Sequence, residues 1–232
     1  MLIIGNRYRD RIEARLQEFT TEQICWMPDN TDIDPTLAGH TDLSLFSPDQ
    51  KILFTAASVA DHIVNELTYS NNKPELRIIP NQRKQYPENA GLCVCTTGKY
   101  TFYKNKTIHP AVLPHLKGIC IEVKQGYTKC SICVVNENTI ITADDDIYRK
   151  ALRTQIDVLK ISPGHIRLEG YDYGFIGGAA FLLNNTTMAF TGTLDKHPDK
   201  ERILACLRRN SVKPAFLSDE PIFDIGGALL LP

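Results

Sequence analysis

The chain has 232 residues, 43% hydrophobic and 23% charged, with a net charge of −1 and a pI near 6.6. That length can bury a substantial core, and the near-neutral charge speaks against a phosphate-tracking surface, so nucleic acid is not a favoured partner. The apolar runs are too short to span a bilayer, Met1-Leu2-Ile3-Ile4 meets charge too soon for a secretory signal, and seven cysteines, mostly in apolar stretches, fit buried thiols in the cytoplasm better than a disulfide frame.

In chain order, Leu2 to Gly5 reads as a strand. Arg9 to Phe19 reads as a helix with Ile12, Leu16 and Phe19 on one face, and Gln23 to Met27 as a strand ending at Pro28. Asp29 to Ala38 is a polar loop. Gly39-His40-Thr41-Asp42 then opens a hairpin over Leu43 to Thr55, followed by a helix over Val59 to Leu67 capped by Ser58 and a strand over Leu76 to Pro80. Asn81 to Asn89 is a charged loop. The next hairpin pairs Gly91 to Cys95 with Tyr100 to Tyr103, before a short helix near Pro110 to Leu116 and a strand over Ile119 to Val123.

A further unit starts at Gly126, with Cys130 on its first strand and a turn at Asn136-Glu137-Asn138. Asp144, Asp145 and Asp146 open its helix, and Ile156 to Ile161 is its last strand. After a connector from Pro163 to Tyr173, Gly174-Phe175-Ile176-Gly177-Gly178 begins another, with Pro198 in the first turn of a helix running to about Arg209 and a strand over Pro214 to Leu217. Ile225 to Leu231 is one more first strand.

These segments repeat. Asp42, Ala90, Lys129, Gly178 and Gly227 are corresponding positions, 48, 39, 49 and 49 residues apart. Thirteen residues after three of them stand Thr55, Thr142 and Thr191. The fifth unit stops after its first strand, and the missing half is the N-terminal strand, helix and strand. The expectation is a single α/β domain over residues 1–232: five pseudo-symmetric units in a ring, closed by the N- and C-terminal segments, with no free sheet edge between them.

A ring brings equivalent positions of distant units to one axis. His40 and Asp42 in the first unit, Cys130 in the third and Asp224 in the fifth form a candidate set of imidazole, thiol and carboxylates. His165 with Glu169 and Asp172 in the connector is a second, more solvated group. Cys130 and Cys133 stand three apart, which on a strand puts them on opposite faces, so no metal site is expected there. Gly174 to Gly178 fits close backbone packing better than a phosphate loop. No cofactor is expected.

Gly39-His40-Thr41-Asp42 resembles the Gly-His-x-Asp motif of agmatine deiminases, and Gly126 to Cys130 has the Gly-to-Cys spacing of their nucleophile strand. The chain thus resembles the pentein superfamily of guanidino-group-modifying enzymes, in which the cysteine unit also lies two after the histidine unit, and looks like an uncharacterised bacterial branch of it. The resemblance covers nearly the whole chain, on short motifs. It implies an α/β propeller with Cys130 as nucleophile, His40 as proton carrier, and Asp42, Asp224, Glu169 or His165 against the substrate. The family's Glu-Gly-Gly finds its glycines in Gly226-Gly227, but Ile225 stands in the acid's place. The chain is also shorter, ends in Leu230-Leu231 where the family has a cysteine, and matches only with its units rotated in sequence.

Two functions follow. One is a cysteine-dependent hydrolase or transferase acting on a guanidino or amidino group of a small molecule. The other is a non-catalytic pentein ring used for binding, as in the ribosome anti-association factor. Under the first, Cys130 is expected to be the most reactive of the cysteines.

Overall fold

The computed structural model describes residues 1–68, 72–80 and 82–231. Strand β1 (Leu2–Gly5), helix α1 (Arg9–Phe19) and strand β2 (Ile24–Met27) open the chain. The first full unit comprises a helical turn α2 (Thr41–Ser44), strands β3 (Leu45–Phe46) and β4 (Ile52–Ala56), helix α3 (Ala57–Leu67) and strand β5 (Glu75–Ile79). The second has β6 (Cys95–Thr96), β7 (Tyr100–Tyr103) and β8 (Ile119–Glu122). The third has the turn α4 (Thr128–Ser131), β9 (Ile132–Asn136), β10 (Thr139–Thr142), α5 (Asp145–Ala151) and β11 (Asp157–Lys160). The fourth has the turn α6 (Ile176–Ala179), β12 (Ala180–Asn184), β13 (Thr187–Phe190), α7 (Lys200–Arg209) and β14 (Lys213–Phe216), and β15 (Leu229–Leu230) ends the chain.

Each unit builds the same three-stranded sheet. Its first strand runs antiparallel to the second through a hairpin, and the second runs parallel to the third through a crossover. The helices that make the long crossovers are amphipathic in the ordinary way: Val59, Ile63 and Leu67 bury one face of α3, and Ile203 and Leu207 one face of α7. The fifth sheet joins the two ends of the sequence. β15 pairs antiparallel with β1 at Leu2–Leu230 and Ile3–Leu229, and β1 pairs parallel with β2. The α-amino group of Met1 also donates to Leu231 O at 2.9 Å. This is a pentein-type five-unit ring, closed by its termini.

The core runs round that ring between neighbouring sheets. One cluster joins Ile3 and Met27 to Phe54 and Val94, spanning the fifth, first and second units. Others join Phe102 to Ile140, Ile141 to Phe190, and Phe181 to Ile4. Every unit therefore buries its apolar faces against two neighbours, which no single three-stranded sheet can do alone.

Several boundaries differ from the expectation. The strands expected to begin at Gly39, Gly126 and Gly174 begin instead as the helical turns α2, α4 and α6, so Cys130 sits on a turn and not on a strand. The units converge here: a Cβ on Gly177 would stand 2.3 Å from Lys129 O and 2.2 Å from Ile132 O. A helical turn advances about 1.5 Å per residue against about 3.3 Å for a strand, so it ends the sheet before neighbours collide. Pairing also shifts the fourth unit by one residue. Ala180 pairs with Phe190 as Leu45 does with Thr55 and Ile132 with Thr142, so Gly177, not Gly178, corresponds to Asp42 and Lys129.

Ser58 does not cap α3, because its hydroxyl donates to Asn30 Oδ1 at 2.6 Å and helps fix the 29–38 loop. Asp144 does cap α5, accepting from Ile147 N at 2.8 Å. Pro198 lies before α7, whose N-cap is Asp199. The short helix expected near Pro110 is a single 3-10 turn at Leu113–His115. Of the charged loop expected from Asn81, that first residue lies outside the described residues. No helix among the described residues is long and apolar enough to cross a membrane.

Candidate functional site at the ring axis

The helical turns aim side chains at the axis. His40 is the N-cap residue of α2, Asp42 lies within α2, and Cys130 lies within α4. The Cys130 thiol donates to Asp42 Oδ2 at 2.6 Å, and its Sγ lies 4.0 Å from His40 Nδ1. His40 Nδ1 is in turn 3.9 Å from Asp42 Oδ1. All three side chains are buried. Two of their polar atoms, His40 Nε2 and Asp42 Oδ1, have no hydrogen-bond partner among the described residues.

Asp224 arrives from the fifth unit. Its Oδ2 accepts from Phe175 N at 2.8 Å and its Oδ1 from Gly226 N at 2.9 Å. The segment is held in place by Ile225 N and Gly227 N, which both donate to Gly178 O, at 3.0 and 2.8 Å. The two glycine pairs have separate reasons. Gly226 has φ +72°, and its missing Cβ leaves room for His40; a Cβ on Gly178 would fall 1.8 Å from Asp224 Oδ1. Ile225 is fully buried against the core of the fifth unit, so this unit's carboxylate reaches the axis from one residue earlier.

Cys93 is the centre's unexpected member. It is buried beside α4, and its thiol donates to the same Asp42 Oδ2 at 3.4 Å. The sequence reading put it on a strand as a bystander. Its chain position offered a signal: Ala90 corresponds to Asp42, and Cys93 follows it into the axis. Cys133, by contrast, turns away, with Sγ 3.4 Å from Met188 Sδ.

Electrostatics disfavour the Cys130 thiolate at rest. The neighbouring Cys93 thiol, burial and the Asp42 and Asp224 carboxylates hold the Cys130 thiol well above its ordinary pKa. Burial, opposed by His40, raises the Asp224 carboxyl. In the resting protein Cys130 is buried and Cys120 is the exposed cysteine, which bears on the expectation that Cys130 reacts fastest.

A cavity of about 230 Å³ opens over Cys130, His40 and Asp224. Its walls are mostly apolar or aromatic: Leu37, Leu43, Tyr127, Leu168, Tyr171 and Phe175 among them. Burial pushes the Tyr127 hydroxyl up to about 12, and that hydroxyl pairs with Asn89. A wider, polar vestibule of about 870 Å³ shares Leu168, Tyr171, Asp172 and Asp224 with it and adds Arg7, Arg11, Arg167 and Glu169. Glu169 thus stands in the vestibule, not against Cys130. His165 lines neither cavity; it packs on His197 with ring centroids 5.5 Å apart, exposed on the connector. The connector's contribution to the inner cavity is Asp172, the third member of that group, with Leu168, Tyr171 and Tyr173, which the sequence pattern does not single out.

The ring of five three-stranded sheets is the pentein fold. The chain belongs to the family described as a family of unknown function (DUF6873), whose model matches residues 3–229. No curated protein matches it. Among solved structures it is similar to a DDAH from Pseudomonas aeruginosa complexed with citrulline, at TM-score 0.58 and 10% identity over 94% of this chain and 91% of that one. It is also similar to C. jejuni agmatine deiminase, at TM-score 0.51 and 13% identity over 94% and 87%. A third is SxtG, an amidinotransferase from Microseira wollei, at TM-score 0.51 and 12% identity over 94% and 88%. At these identities the likeness is one of fold.

Proposed function

We propose that the protein is a cysteine-dependent hydrolase or transferase acting on a guanidino or amidino group of a small molecule, with Cys130 as nucleophile and His40 as proton carrier. The observation that carries this reading is the meeting of Cys130 Sγ, His40 Nδ1 and Asp42 beneath a cavity that also presents Asp224. The neighbours in fold are enzymes of the same general kind, by their names. On this reading the chain works as one pentein-like domain over residues 1–232, and seven free cysteines suit a cytoplasmic setting.

The chemistry follows from charge. A guanidinium or amidinium is planar and positive, and Asp42 Oδ1 is a buried acceptor without a donor. A cation seated there and against Asp224 offsets the carboxylates that hold the thiol protonated, so its arrival favours the Cys130 thiolate. The thiol proton passes to His40, and the sulfur adds to the central carbon. His40 delivers a proton to the departing amine, which leaves as ammonia or an alkylamine, and the carbon remains joined to sulfur as a thiouronium. In the hydrolase, water adds to that carbon and gives one proton to His40; as the carbonyl forms and the C–S bond breaks, the second proton goes to the released amine, leaving the Cys130 thiolate and a ureido product from a guanidine or an amide from an amidine. In a transferase an acceptor amine takes the place of water. The apolar walls exclude bulk water from the first step. Glu169, in the vestibule, meets the substrate's outer end.

The test is turnover on a panel of arginine, agmatine, methylated arginines and simple amidines, read as ammonia or amine release. Cys130→Ser and His40→Ala should each lower kcat at least about a hundredfold with the fold intact, the scale of a lost acid/base group. If no panel member reacts and a haloacetamidine leaves Cys130 unlabelled, catalysis fails and the binding-module reading takes its place.

A further inference from the structure

The centre holds one thiol more than amidine chemistry uses. Cys93 and Cys130 come from different units, yet both donate to one oxygen of Asp42, at 3.4 and 2.6 Å. The three donor atoms lie within 4.8 Å of one another, and all three residues are buried. The other oxygen, Asp42 Oδ1, has no partner although the Asp42 side chain is only 3% exposed. Two thiols thus crowd a buried carboxylate whose lone pairs are not all used.

The geometry points to a site for one thiophilic divalent cation of the zinc type, held by Cys93 Sγ, Cys130 Sγ and a carboxylate oxygen of Asp42. Donors around tetrahedral zinc, at bond lengths of about 2.0–2.3 Å, stand roughly 3.3–3.8 Å apart, a spacing these three atoms reach by small side-chain rotations. Paired thiolates select a soft or borderline ion over magnesium or calcium. Binding is an exchange without redox: two S–H bonds break, two metal–sulfur bonds form, and two protons leave to solvent. Three protein ligands leave one position for water or a bound anion.

Asp224 is not part of this set, because its oxygen groups with Cys130 and His40 and not with Cys93 and Asp42. Nor is Cys133, the neighbour in sequence, which faces Met188. The inference does not rest on the amidine reading. If Cys130 is the nucleophile, the loaded site silences it, and the metal-free protein is the active form.

Chelator-treated, reduced protein titrated with cobalt(II) tests the site without any substrate. The expected result is one equivalent bound with a thiolate-to-metal charge-transfer band in the near ultraviolet, bleached by stoichiometric zinc. Cys93→Ser should weaken binding at least about tenfold and reduce the band, while Cys133→Ser should bind as the wild type does. Far-ultraviolet circular dichroism checks each fold, and Cys93→Ala repeats the measurement if the serine variant unfolds. Wild-type binding by the Cys93 variants, loss of the band in Cys133→Ser, or absence of a band at excess cobalt would each overturn the proposal.

Discussion

Gly226 lies against His40 so closely that a Cβ added to it would stand 2.5 Å from the His40 Cβ. The same glycine holds φ +72°, and its carbonyl accepts from Asp42 N at 3.2 Å. One residue of the fifth unit therefore sets the position of both residues that the first unit brings to the axis. Gly226→Ala has two penalties, backbone strain of about 1–3 kcal/mol and displacement of His40. The expected outcome is a lower Tm and loss of any amidine turnover. Gly98→Ala is the control: it also has positive φ but an open environment, so it should cost only about 1 kcal/mol and leave the site intact.

Ring closure has its own test. Met1 and Leu231 exchange both backbone hydrogen bonds, each at 2.9 Å, so Leu2 and Leu230 form the adjacent non-hydrogen-bonded pair. Such pairs bring side chains closest in an antiparallel ladder. Leu2→Cys with Leu230→Cys should form an intramolecular disulfide under mild oxidation, read as a reducible shift in non-reducing electrophoresis. Absence of that shift, with both thiols free by mass spectrometry, would argue against closure through β1 and β15.

Thiol reactivity should follow exposure and charge. In native protein at neutral pH, Cys120 should alkylate first and Cys130 slowly, because the Cys93 thiol, burial and acidic neighbours hold the Cys130 thiol above its ordinary pKa. A raised thiol pKa means a small thiolate fraction, so the Cys130 rate should still be climbing with pH beyond the usual thiol range. A small amidinium that occupies the cavity without reacting should shift that profile to lower pH. Peptide-resolved iodoacetamide labelling measures both effects.

An acid-sensitive contact ties α1 to the far end of the chain. Arg11 grips Glu220 through two hydrogen bonds of 3.0 and 2.7 Å, which hold the Glu220 carboxyl below its ordinary pKa. A depressed carboxyl stabilises the fold above the unfolded-state pKa and loses that contribution as pH falls through the folded value. Since the pair is substantially exposed, Glu220→Gln should cost no more than about 1 kcal/mol at pH 7, and the difference from wild type should close as pH falls through the depressed carboxyl pKa of the folded state. Thermal melts across pH give the comparison.

The ring was legible because its parts are local. Alternating apolar runs, turn residues at Asn136-Glu137-Asn138 and the spacing of Val59, Ile63 and Leu67 each reflect backbone geometry that neighbouring residues impose. Repetition of that pattern, with half a unit at each end, implies closure. Thus α1 and the pairing of Leu2–Gly5 with Leu229–Leu230 agree with the sequence reading, and His40, Asp42, Cys130 and Asp224 do converge.

What local rules could not decide is how the units crowd where they meet. The helical turns at Thr41–Ser44 and Thr128–Ser131 arise there, because neighbouring backbones leave no space for extended chain. That crowding sends Cys133 to Met188 and Cys93 to Asp42, reversing the order suggested by sequence distance. It also leaves His165 on the outside and gives the cavity wall to Leu168 and Tyr171. The sequence by itself determined which units form and in what order they join; which groups share the axis was decided by packing between units, a contact between residues 37 and 184 positions apart in the cases of Cys93 with Cys130 and Asp42 with Gly226.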